Sequence, residues 1–156
     1  MNKTIYFNRH EGQYPQFSNF FPCLIKWKGK IYSCSEAIFC AESCKYPEDA
    51  EKFISLTGKQ AKELGKTVEQ KDDWNDTKVL VMYKIVLEKF KQNPYLRTIL
   101  LSTGNSTLIE KIMWHDNFWG DCACPKCSDI IGQNTLGKIL MRVRKELSRP
   151  NTTNRM

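Results

Sequence analysis

Two stretches of the chain repeat apolar residues at helical spacing, and each makes a stripe that only a packed tertiary structure can cover. After Asp73, the residues Val79, Met82, Tyr83, Val86 and Phe90 recur at that spacing until Asn93-Pro94 ends the run. Near the other end, Leu136, Ile139, Leu140, Val143 and Leu147 share one face of a helix expected from about Thr135 to Leu147. Lys138, Arg142, Arg144 and Lys145 take its other face. Two such helices need a further layer to lie against.

The N-terminal part supplies one. Ile5-Tyr6-Phe7 reads as a short strand, and Leu24 to Tyr32 alternates loosely around Lys28-Gly29, as a hairpin does. From Ser33 the signals turn helical. Ser33-Cys34-Ser35-Glu36 fits a capping box for a helix running toward Lys45. Shorter helices are expected from Pro47 to Ser55, from Lys59 to Leu64 with a stop at Gly65, and from Pro94 to Leu101 closed by Gly104. A small N-terminal antiparallel sheet packed with a larger set of helices is α+β.

At 156 residues the chain is about one domain long, read as residues 1–149 with a polar, flexible tail over 150–156. Its 24 Lys and Arg against 17 Asp and Glu give a net charge of +7, which suits phosphates, nucleotides or nucleic acid as partners, or serves solubility alone. No apolar run reaches the roughly 18 residues of a membrane span, and Met1-Asn2-Lys3-Thr4 opens no signal peptide. Seven cysteines cannot all pair internally, so reduced thiols and a cytoplasmic setting are expected.

Several segments are polar and aromatic beyond what scaffolding needs: Phe17-Ser18-Asn19-Phe20-Phe21-Pro22, Ser35-Glu36, and His115-Asp116-Asn117-Phe118-Trp119-Gly120-Asp121. Together with Asp73-Trp74 and the run from Gly132-Gln133-Asn134 to Arg144, they resemble the YbiA-like (NADAR) family in order and spacing over about residues 5 to 147. The resemblance implies a YbiA-like fold and hydrolysis of N-glycosidic bonds. The substrates it implies are phosphorylated riboflavin-pathway intermediates or ADP-ribosylated guanine.

It also implies roles. Glu36 and Asp116 match the family's acidic catalytic residues, and Trp74 its active-site tryptophan. Breaking a base–ribose bond builds positive charge on the sugar and negative charge on the base. Carboxylates can stabilise the first, orient a water or protonate the second, while an indole can stack on the base. The residues alone leave other readings open: a capping role for Glu36, a turn for Asp116, and simple packing for Trp74. Arg9, Asn19, Phe20, Lys71, Trp119 and Asn134 are the substrate-binding candidates, with free N–H groups expected at the helix starts near Ser33 and Asn134.

Two features depart from the family. Many relatives carry a lysine seven residues after the catalytic Glu, used covalently by members that release ADP-ribose; here that position is Ser43, retained as a substrate-binding candidate. Cys122-Ala123-Cys124-Pro125-Lys126-Cys127 contains one Cys-x-x-Cys, half of a zinc site, to which Cys122 or His115 could add ligands. Reduced thiols in a loop are the expectation kept, with no metal and no cofactor. The expected function is N-glycosidase, with ADP-ribosylated guanine slightly favoured by the basic surplus. A non-catalytic ADP-ribose-binding or nucleotide-binding module is the alternative.

Overall fold

The computed structural model describes residues 3–8 and 13–150. Among the described residues, five strands and six α-helices follow one another. Strand β1 (Thr4–Phe7) is followed by the hairpin β2 (Ile25–Trp27) and β3 (Lys30–Tyr32). Helices α1 (Ser35–Ser43), α2 (Pro47–Ala50), α3 (Gly58–Gly65), α4 (Trp74–Gln92) and α5 (Pro94–Ser102) come next. Strands β4 (Thr107–Ile112) and β5 (Asp121–Cys122) precede the last helix, α6 (Thr135–Ser148).

The antiparallel hairpin forms where expected, with Ile25 opposite Tyr32 and Trp27 opposite Lys30 around the left-handed Lys28 and Gly29. Strand β1 does not join it. It pairs in parallel with β4, Thr4 opposite Thr107 and Phe7 opposite Glu110, and β4 pairs in parallel with β5. Sequence reading had missed β4 and β5, which lie among the helices and come from the far half of the chain.

Helix α4 ties the molecule together. Its Met82, Val86 and Phe90 enter one core with Phe7, Phe17 and residues of α6, while Ile85 enters a second core with Ile25, Ile38, Phe53 and Ala61. Its buried stripe is rotated from the expected one: Val79 is 39% exposed, and Lys89 is 1% exposed. On the far side Arg142 of α6 stacks over Tyr83 at 4.0 Å.

Burying an ammonium is costly unless its hydrogen bonds are met. Lys89 Nζ donates to the carbonyl oxygens of Gln16 (2.7 Å) and Ser18 (3.0 Å), pinning the segment before α1 onto α4. Burial still pulls its pKa down from 10.5 to about 8. Between those values the unfolded chain binds more protons than the folded one, so this group adds stability as pH rises through that window. Lys89→Met is expected to cost about 1–3 kcal/mol by leaving Gln16 O without its donor. Urea unfolding of both proteins at about pH 7.5 and about pH 9.5 checks it, and the gap is expected to widen at the higher pH.

Candidate active site

Helix α1 starts at Ser35 with Cys34 as its cap residue, and no side chain caps it. The capping box expected from Ser33 and Glu36 is therefore not formed. A reciprocal box occurs instead at α3, between Thr57 and Gln60. The Glu36 N–H donates to Asn19 O (3.0 Å), which joins the helix start to the Phe17–Pro22 segment. The Glu36 side chain lines a cavity of about 250 Å³.

That cavity is where five parts of the chain meet. The segment before β2 contributes Ser18, Asn19 and Phe20, α1 contributes Glu36 and Phe39, and α3 contributes Lys62. Strand β4 and the loop after it contribute Glu110, Trp114, Asp116 and Trp119, with Met82 of α4 at the base. Three carboxyl groups, one ammonium and several aromatic faces thus share a space near the small end of ligand pockets, which run roughly 300–1,000 Å³.

Electrostatic details bear on the acids. The Cys40 thiol lies one turn along α1 and donates to Glu36 Oε1 (3.7 Å). Burial, and then the Glu36 charge, push its pKa well up, so it stays a neutral donor. Asp116 is held by its own loop: Oδ1 accepts from the N–H groups of Phe118 (3.0 Å) and Trp119 (2.9 Å). Asp116 is thus a turn residue through Oδ1 and also lines the cavity. Asn19 Oδ1 is buried without a hydrogen-bond partner among the described residues, an acceptor on the pocket wall.

The aromatic wall is layered. Trp119 meets Phe39 edge-on (5.4 Å, 86°) and Phe118 likewise (4.9 Å, 90°). Trp74 does not line the cavity; it is 4% exposed and packs behind Phe39 at 5.0 Å. Starting α4 buries its indole under α1, so its effect on a ligand passes through Phe39.

Other expected site residues lie elsewhere. Ser43 is 3% exposed and its hydroxyl donates to Cys40 O (2.6 Å), a helix-end bond that turns it away from the cavity. Lys71 Nζ lies 3.9 Å from Glu42. Burial disfavours the Glu42 carboxylate, but hydrogen bonds from Trp27 and Lys28 and the charges of Lys28 and Lys71 outweigh it and lower its pKa. That cluster satisfies itself. Asn134 is buried in a left-handed conformation, and its amide accepts from Glu110 N–H (2.9 Å) and donates to Leu108 O (2.8 Å). It fastens α6 to β4. The N–H groups expected to be free at the start of α6 are taken as well, Thr135 by Phe118 O and Leu136 by Trp119 O. Arg9 lies outside the described residues.

Lys62, Glu110, Phe39 and Trp114 were not foreseen. Lys62 Nζ sits over the rings of Trp114 (5.4 Å) and Phe20 (5.9 Å). In sequence it is one more lysine on an amphipathic helix, and only the packing of α3 on α1 turns it inward. Beyond the cavity, the Cys-x-x-Cys pair Cys124 and Cys127 comes together with both His115 and Cys122, their ligand atoms all within 4.8 Å.

The family model for the NADAR domain matches residues 6–148. A riboflavin biosynthesis protein of Vibrio vulnificus is 37% identical over 150 residues, covering 94% of this chain but 39% of that protein. An N-glycosidase of Nostoc punctiforme is 34% identical over 150 residues and covers 92% of both chains. The solution structure of Escherichia coli YbiA superposes with a TM-score of 0.80 at 29% identity, covering 97% of this chain and 92% of that one. Among the described residues no helix is long and apolar enough to cross a membrane.

Proposed function

This chain belongs to the NADAR domain family, and on that premise we propose that it is an N-glycosidase hydrolysing the bond between a base and a phosphorylated or ADP-ribosylated ribose. The observation that carries the reading is the cavity itself, where Glu36 and Asp116 converge with the Phe20, Phe39 and Trp119 rings in a space for a base and its sugar. The name of the Nostoc punctiforme relative supports the reaction class.

In this reaction the C1′–N bond breaks with its electron pair going to the base, which takes up a proton. The sugar is left with oxocarbenium character, and water adds at C1′ and gives up a proton. Asp116, fixed by two backbone N–H groups, is a preorganised negative charge beside the developing cation. Glu36, on the facing helix, orients and deprotonates the water. The aromatic wall holds the base by stacking, and the unpartnered Asn19 oxygen accepts an N–H of the base. Lys62 supplies positive charge for the phosphates at the pocket edge, a part that Lys71 and Asn134, held elsewhere, do not play.

Two substrate classes fit. ADP-ribosylated guanine suits the +7 charge and an acceptor for an exocyclic amine. Phosphorylated riboflavin-pathway intermediates accord with the name of the Vibrio vulnificus relative. A panel of both, read by mass spectrometry for freed base, tests the activity; no base released from any member overturns it. Because Ser43 is buried and holds no amine in the pocket, binding without turnover is the second reading, and calorimetry with ADP-ribose beside the same panel separates the two. Lys62→Met is expected to raise KM for a phosphorylated substrate about tenfold or more while changing kcat little. A nucleoside lacking phosphate should show no such change in steady-state kinetics.

We propose that residues 1–149 form a single domain. Of the tail expected over 150–156, residues 151–156 lie outside those described.

A further inference from the structure

We propose that His115, Cys122, Cys124 and Cys127 form a closed structural zinc site at the back of the candidate active-site loop. The four ligand atoms lie within 4.8 Å of one another. Zinc with Zn–S of about 2.3 Å and Zn–N of about 2.0–2.1 Å makes a tetrahedron whose edges are roughly 3.5–3.8 Å. His115 Nδ1 is 3.4 Å from Cys127 Sγ and 3.2 Å from Cys124 Sγ, close to such edges. One nitrogen and three sulfurs within one tetrahedron's reach are the donor set of a Cys₃His zinc site.

The surroundings are built for thiolates. The His115 backbone N–H donates to Cys122 Sγ (3.3 Å), and Asn117 Nδ2 donates to Cys127 Sγ (3.4 Å). Asn117 also accepts the Cys122 N–H through its other amide atom (2.9 Å), bracing two ligands at once. Cys124-Pro125-Lys126-Cys127 folds into a tight turn, with Cys127 N–H bonded to Cys124 O (3.0 Å), so both sulfurs point the same way. The three cysteines are free thiols and buried, between 3% and 7% exposed, beside Ile112 and Trp114. His115 closes the outer side from a left-handed backbone (φ 67°), a conformation a non-glycine residue holds only when its surroundings require it.

Four protein ligands leave no open position, so the ion is structural and not catalytic. Its place gives it a task. His115 lies between Trp114 and Asp116, and Cys122 ends β5, so the metal would clamp both ends of the segment that brings Trp114, Asp116 and Trp119 to the cavity. This inference does not depend on the proposed glycosidase activity.

The experiment uses the full chain purified without chelator under reducing conditions. About one zinc per chain is expected by elemental analysis. Metal-stripped protein given cobalt(II) should show the visible d–d bands and the thiolate-to-metal charge-transfer band of a tetrahedral sulfur-rich site. Cys124→Ser with Cys127→Ser should abolish both signals, and a strong chelator should lower the melting temperature of the wild type. The cobalt spectrum needs no variant, so a misfolding double mutant would not spare the proposal. Protein that copurifies without zinc and gives no tetrahedral cobalt(II) spectrum overturns it. So does iron in place of zinc, or a native disulfide among these cysteines found by mass spectrometry.

Discussion

Glu36→Gln should lower kcat by about 10²- to 10⁴-fold, the usual contribution of a positioned acid or base, while the melting temperature moves by no more than about 2 °C. The stability half of this expectation follows from the cap. Because Cys34 and not Ser33 is the cap residue of α1, and no side chain forms a cap hydrogen bond there, the Glu36 carboxylate closes no capping box. Glutamine keeps the shape and still accepts from the Cys40 thiol. What it loses is the charge and basicity that a water beside C1′ needs. Asp116 offers a sharper dissection, because its turn hydrogen bonds and its charge can be removed separately. Asp116→Asn keeps Oδ1 as acceptor for Phe118 and Trp119 and loses only the charge, so it should lose turnover and retain stability. Asp116→Ala loses the turn as well, adding a stability cost of about 1–2 kcal/mol. Steady-state rates and thermal melts of the three variants check this. Turnover within roughly tenfold of wild type in both Glu36→Gln and Asp116→Asn would falsify the assignment of the two carboxyls.

Gly137→Ala should destabilise the fold by about 3 kcal/mol or more, the upper range for forcing an atom into a packed site. In a domain of this size that is roughly 6–12 °C in Tm. In an isolated helix the same change would be favourable, since alanine is the better helix former. Here α6 lies directly on β4, and a Cβ at position 137 would collide with the Leu108 carbonyl oxygen and the Asn134 side chain. The carbonyl belongs to a strand paired on both sides, and Asn134 is held by two hydrogen bonds, so neither can give way. Differential scanning calorimetry decides it, and an unchanged or raised Tm would mean that α6 can lift from β4 at little cost.

The helices were largely legible because a 3.6-residue period is a local property. The stripes on α4 and α6, Pro47 and Pro94 at helix starts and the Lys28-Gly29 turn all carry their meaning within a few residues. Gly65, expected to stop α3, is its last residue with Lys66 as the cap, and Cys34 stands in place of Ser33 at α1 because a capping box is only a permissive pattern. The same chemistry was realised at Thr57 and Gln60, where the flanking chain allowed it. Strand β4 escaped because its burial does not alternate along the strand and its partner β1 is about a hundred residues away. With β4 unread, Glu110 could not be placed at the cavity.

The sequence by itself determined the class of the fold through local periodicity and the family through its ordered motifs, and the resemblance singled out Glu36 and Asp116 as candidates. Tertiary structure alone decided which polar groups are free for a ligand and which are already bound. Asn134, Ser43 and Lys71 carry suitable chemistry, but their hydrogen bonds and ion pairs are made within the fold. Lys62 and the Asn19 oxygen gained places on the pocket wall, and His115, Cys122, Cys124 and Cys127 closed into one cluster. A donor or acceptor is available only when no nearer partner satisfies it, and nearness across parallel strands and packed helices is set by contacts between residues far apart in the chain.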